Sequence, residues 1–207
     1  MKSTNCLFFG DSITFGEYDG VFGGWVDILK RYSYGKFYKE GANEVNVFNL
    51  GIGGETTEGL LRRIAVEISA RTSAEENLIF LFYGANDLAI KNGEEVVAIE
   101  SFAANLKAAI EVARQTTDKV YLMTILPISS NVEGVLSPAG KVRTLERILL
   151  YNEKIKTVAK DCNVALIDLF PLFEEKEELL SKDGIHPNEK GYLLISDFMK
   201  KYIDQYL

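Results

Sequence analysis

Five short apolar runs punctuate the chain, at Cys6–Phe9, Val45–Leu50, Leu78–Tyr83, Val120–Ile125 and Val164–Ile167. They read as runs rather than as apolar–polar alternations, the pattern of parallel strands covered on both faces. Between them the period changes. Ile99, Phe102, Leu106, Ile110 and Ala113 recur at steps of three and four, as do Val142, Leu145, Leu149, Asn152, Ile155 and Ala159, with one polar member. Ile195, Phe198, Tyr202 and Tyr206 place a last stripe on one face of a final helix. Strand and helix thus alternate, which predicts an α/β sandwich around a parallel sheet with right-handed crossovers.

Composition changes this picture little. The 207 residues fit a single domain, 1–207, long enough to bury a substantial core, and 47% hydrophobic with 26% charged residues is ordinary for a globular chain. There is no internal repeat, low-complexity tract or Pro/Gly/Ser-rich linker. Charge excludes more: 23 Lys+Arg against 30 Asp+Glu give a net charge of −7 with no local basic cluster, so nucleic acid is not expected as a partner. No apolar stretch is long enough for a transmembrane segment. Met1-Lys2-Ser3-Thr4-Asn5 runs straight into the first strand without a signal core, which makes a cytoplasmic location the default expectation, although a chain trimmed of its signal reads the same way. Cys6 and Cys162 are too few and too far apart for a disulfide framework or a zinc cluster, and both read as small core residues.

Two longer irregular stretches, Gly16–Gly24 and Pro127–Gly140, each begin where a strand has ended. Ligands of open α/β sheets bind beyond the carboxyl ends of the strands, so both stretches are expected to border a site. Phe15, Tyr18, Phe22 and Trp25 either line a pocket there or cover the sheet edge. The segment Ile128 to Lys141 reads as a lid or a subunit contact, and homo-oligomerisation stays open. The run Glu174-Glu175-Lys176-Glu177-Glu178 reads as a solvated helix face.

Four segments hold residues with chemistry: Gly10-Asp11-Ser12, Asn49 to Thr56, Gly84-Ala85-Asn86-Asp87 and Asp183-Gly184-Ile185-His186. Three follow predicted strands and the last lies before the final helix, so the topology brings all four to one sheet edge. A serine becomes a nucleophile when a base takes its proton, and histidine suits that task near neutral pH. His186 is the sole histidine, and Asp183 stands three residues before it, placed to fix its tautomer. One Ser-His-Asp assembly is therefore available: Ser12, His186 and Asp183.

Each segment alone has a plainer reading. Gly-Asp-Ser after a strand is equally a helix N-cap or turn. Gly51-Ile52-Gly53-Gly54-Glu55-Thr56 lacks the last glycine of a dinucleotide loop and follows the second strand rather than the first. Asn86-Asp87 is a common turn pair, and a histidine before a proline is commonly a surface loop residue. Their convergence at one edge favours the catalytic reading.

At these blocks the chain resembles the SGNH hydrolases, also called the GDSL esterase/lipase family. The match runs from Gly10 to His186 and includes the Asp-x-x-His step, with Ile13 where the family name has leucine. The resemblance implies a flavodoxin-like three-layer α/β/α sandwich with a five-stranded parallel sheet, and ester or thioester hydrolysis. It assigns Ser12 as nucleophile, His186 as general base and then acid, and Asp183 as the group that orients it. It builds the oxyanion hole from the Ser12 N–H, the Gly54 N–H and the Asn86 side-chain amide, with Gly51 and Gly53 close enough to compete with Gly54. No metal or organic cofactor is required.

The expectation is a serine esterase or acylhydrolase that forms an acyl-enzyme on Ser12 from a small-molecule ester, with an acetylated carbohydrate as the leading guess. A thioesterase or lysophospholipase-type acylhydrolase is the alternative. A flavodoxin-like binding module is the non-enzymatic one, but the serine/threonine-rich phosphate loop it would carry after the first strand is not there. A degenerate hydrolase is opposed by the filled catalytic positions.

Overall fold

The computed structural model describes residues 2–72 and 74–207. Among these, strands β1 (Ser3–Gly10), β2 (Glu44–Gly51), β3 (Glu76–Phe82), β4 (Ile90–Lys91), β5 (Glu94–Glu95), β6 (Val120–Met123), β7 (Lys141–Val142) and β8 (Ala165–Ile167) form. The helices are α1 (Ser12–Phe15), α2 (Trp25–Glu40), α3 (Thr57–Arg71), α4 (Ile99–Arg114), α5 (Leu145–Asp161), α6 (Phe170–Phe173) and α7 (Glu189–Ile203). Five strands make one parallel sheet in the order β2-β1-β3-β6-β8. The order reverses at β1, which has β2 on one side and β3 on the other, and that is where a doubly wound sheet opens a crevice. Gly10 pairs with Gly51 and with Phe82, so the three strands end level.

Successive residues of a strand face opposite sides of the sheet. Leu7 and Phe9 of β1 join the layer built by Leu60 and Ile64 of α3, Phe102 of α4 and Ile155 of α5. Cys6 and Phe8 join the other, with Trp25 and Leu29 of α2 and Tyr192 and Met199 of α7. There Phe8 stacks on Phe80 at 4.4 Å between centroids and meets the edge of Trp25 at 5.0 Å. Burial on both faces explains why these strands read as runs. The expected three-layer α/β sandwich is what forms.

Several details differ from the sequence reading. Val142 is not on a helix: it pairs with Ile90 in a three-stranded antiparallel sheet, β5-β4-β7, and Thr144 caps α5 two residues later by accepting the Arg147 N–H. Glu174–Glu178 is no helix face. Glu175 is left-handed (φ 58°), a 3-10 turn starts at Glu177, and Glu177 accepts hydrogen bonds from Ser129 Oγ and Ser130 N. Tyr206 falls in a 3-10 turn beyond α7. Cys6 is fully buried, whereas Cys162 is only half-buried at the end of α5.

Candidate active site

The first segment turns directly from β1 into α1. Asp11 caps α1, its Oδ1 accepting the Ile13 N–H at 2.9 Å, and Gly16 in the left-handed region (φ 93°) ends it after one turn. So tight a turn needs Gly10: a Cβ there would stand 2.0 Å from Thr14 Oγ1 and 2.9 Å from the Phe82 carbonyl. Ser12 is thereby presented at the end of β1, with its backbone N–H in the first turn of a helix, where no intrahelical partner exists.

Across the crevice, the loop before α7 delivers His186. Ser12 Oγ lies 2.7 Å from His186 Nε2, and His186 Nδ1 lies 2.5 Å from Asp183 Oδ2. The carboxylate accepts from Nδ1–H, which leaves Nε2 free to accept from the serine hydroxyl. The other oxygen, Asp183 Oδ1, accepts from Ser181 Oγ at 2.6 Å and from the N–H groups of Ile185 and His186 at 3.0 Å each. Burial opposes ionisation of Asp183, but these four hydrogen bonds outweigh it and hold the carboxyl well below its usual range. Tyr18, itself left-handed (φ 68°), sets its ring edge-on to His186 at 5.1 Å.

The second segment divides. Asn49 turns away from Ser12, donating to the Phe15 carbonyl at 3.2 Å and to Asp27 at 3.1 Å. Gly51 closes β2. Of the three glycines, Gly54 lines the cavity, in a left-handed conformation (φ 75°) with open space where a Cβ would sit. Its loop is pinned from behind: Arg63 Nη2 donates to Glu55 Oε2 at 2.6 Å, to the Leu50 carbonyl at 2.6 Å and to Tyr83 Oη at 2.9 Å. Asn86, buried in the third segment, donates from Nδ2 to the Glu55 carbonyl at 3.2 Å and to Asp11 Oδ2 at 3.3 Å. Ser12, Gly54, Asn86, Asp183 and His186 thus meet at the rim of one cavity of about 540 Å³.

The segment after Pro127 supplies that cavity's outer wall, through Ile128, Val132, Val135, Leu136 and Pro138. It folds back on itself, Gly134 N donating to the Arg143 carbonyl and Ser137 N to that of Lys141. Of the four aromatic residues in question, Tyr18 lines the cavity and Trp25 is core, while Phe15 and Phe22 border a second, more open groove beside it. Lys141 and Arg143 also line the cavity and were not foreseen. They lie in no recognisable block, and their sequence neighbourhood reads as a loop running into a helix. Among the described residues no group of three His, Cys, Asp or Glu is placed to hold a metal ion, and no helix is long and apolar enough to cross a membrane.

Fold and site together define a hydrolase. Residues 8–194 match the GDSL-like Lipase/Acylhydrolase family, and the chain belongs to it. It is 28% identical over 205 residues to the human isoamyl acetate-hydrolyzing esterase 1 homolog, covering 89% of this chain and 75% of that protein. It is 29% identical over 196 residues to the uncharacterized lipoprotein YqeF of Bacillus subtilis (strain 168), covering 83% and 75%. Among solved structures it is similar to the lipase/acylhydrolase from Enterococcus faecalis, with a TM-score of 0.75 and 28% identity over 99% of this chain and 96% of that one.

Proposed function

We propose that the chain is a serine esterase that passes the acyl group of a small carboxylic ester to Ser12 and then to water. The observation that carries this is the unbroken line from Ser12 Oγ through His186 to Asp183, at 2.7 and 2.5 Å. Ser12 Oγ attacks the ester carbonyl while Nε2 takes its proton, and the imidazolium that forms faces the Asp183 carboxylate. His186 then returns the proton to the departing alkoxide. Water repeats the sequence on the acyl-enzyme and frees the acid and the serine.

Negative charge that develops on the carbonyl oxygen meets the N–H groups of Ser12 and Gly54 and the Asn86 amide. One hydrogen of Asn86 Nδ2 is taken by the Glu55 carbonyl. The other has only the long contact to Asp11, and this is the one offered to the oxyanion.

The wall of Val132, Val135 and Leu136 favours an aliphatic ester over an acetylated carbohydrate, because it offers a sugar no hydrogen-bonding side chains. The printed activity of the human relative, hydrolysis of isoamyl acetate, fits that choice.

The test is a p-nitrophenyl ester series, acetate to octanoate, run on the wild type and on Ser12→Ala. Cleavage by the wild type alone is expected, with the preferred chain length sizing the cavity. Equal cleavage by both proteins would remove Ser12 from the mechanism.

A further inference from the structure

Two cations converge on one neutral oxygen. Lys141 Nζ donates to Asn86 Oδ1 at 2.9 Å and Arg143 Nη2 to the same atom at 3.2 Å, while Arg143 Nε donates to the Ala85 carbonyl at 2.7 Å. Among the described residues neither has a carboxylate within 4.0 Å. Burial, then the neighbouring guanidinium, pushes the Lys141 ammonium below the ordinary lysine range. Like charges held this close, in a chain of net charge −7, call for a compensating role at the spot they occupy.

The surroundings of Asn86 indicate what that role is. The two ends of an amide have nearly the same shape and opposite hydrogen-bonding character. Here Oδ1 faces two cations, and Nδ2 faces the Glu55 carbonyl and the Asp11 carboxylate. A turned amide would set its NH₂ against both cations and its oxygen against both acceptors. It would also aim a partial negative charge at the place where the oxyanion forms. In the observed orientation, cations on Oδ1 draw electron density out of the amide and make the opposite N–H a stronger donor.

Both cations stand on the return arm of the loop that walls the cavity. Lys141 is held there by pairing with Lys91 across β7 and β4.

We propose that Lys141 and Arg143 are positioning residues of the esterase site: they lock Asn86 with Nδ2 toward the oxyanion and strengthen it as a donor. The arm from Gly134 to Arg143 is then the outer half of the oxyanion hole as well as a wall. This rests on the serine-esterase reading above.

The experiment compares Lys141→Met, Lys141→Arg, Asn86→Ala and the Lys141→Met/Asn86→Ala double variant on p-nitrophenyl butyrate, with the rate of Ser12 labelling by a fluorophosphonate as a second readout. Lys141→Met should lower kcat roughly 10-fold, the size of a lost charge-assisted hydrogen bond, with KM little changed. Lys141→Arg should restore most of the loss. In the Asn86→Ala background Lys141→Met should cost nothing further, and the labelling rates should follow the same order. Should the methionine variant not fold, Lys141→Gln, which keeps an N–H donor without the charge, should fall between it and the wild type.

Multiplicative losses in the double variant would overturn the proposal. So would a raised KM with unchanged kcat, or a loss confined to p-nitrophenyl hydrogen succinate, since either makes Lys141 a binder of substrate anions. Turnover and labelling that survive Ser12→Ala would bring down the esterase reading and this inference together. Ser12-dependent turnover with a silent Lys141→Met would bring down this one alone.

Discussion

Asp183 gives one oxygen to its own loop and the other to the imidazole, so a single carboxylate both shapes the turn and selects the tautomer. Asp183→Asn can keep the loop bonds through its remaining oxygen but turns an NH₂ toward His186 Nδ1. The ring is then driven to the other tautomer, with Nε2 carrying the hydrogen, and the serine loses its base. Turnover of the best p-nitrophenyl ester should fall by up to about 10⁴-fold while the fold persists, as circular dichroism would check. Ser12, His186 and Asp183 were legible because their chemistry is rare and the chain has one histidine. Gly54 was separable from Gly51 and Gly53 only once the course of the loop was known. Lys141 and Arg143 act on Asn86 across 55 and 57 residues of sequence, and no local pattern records such a partner.

Among the elements, α5 shows what a polar break in an apolar stripe can mean. Asn152 is buried, and its amide clamps one residue beyond the end of β6: Oδ1 accepts from Ile125 N at 2.8 Å and Nδ2 donates to Ile125 O at 3.0 Å. It stands in for a strand partner at the point where the chain leaves the sheet for the cavity wall. Asn152→Ala should strand both backbone groups out of water and cost about 2–4 kcal/mol, read from the midpoint of urea unfolding. The stripes of α4, α5 and α7 were visible because each buries a long face. In α2 only Trp25, Val26, Leu29 and Ser33 are buried, all in its first half, and lysine and tyrosine fill the remainder, so the helical period never builds up. Val142 happens to continue the period of α5 backwards, but Thr144 starts the helix after it and the antiparallel pairing with Ile90 claims it.

For the molecule as a whole, the level ends of β1, β2 and β3 were foreseeable in kind, since parallel strands in a doubly wound sheet share one carboxyl edge. Crowding polar groups beneath that edge affects stability. Burial raises the carboxyls of Asp11 and Asp87 from 3.8 to about 6. Between about pH 4 and 6 the folded chain therefore holds protons that the unfolded chain has released. Stability contributed by these two groups falls as pH rises through that window, by on the order of 3 kcal/mol for each. Asp183 has the opposite sign: its contribution is present above the unfolded carboxylate range and is lost as pH falls below it. In Asp87→Asn the oxygen that accepts from Thr57 N and Thr57 Oγ1 can stay in place while the ionisation disappears. Urea unfolding of that variant should show a shallower decline between pH 4 and 6 than the wild type.

Ser12 and His186 touch although 174 residues separate them along the chain. A ribosome must therefore add nearly the whole sequence after the hydroxyl before the ring that activates it exists, and the last long helix must dock before the two can meet. An unfinished or partly folded copy is chemically silent toward esters, and the cell is spared a half-made enzyme with a live nucleophile.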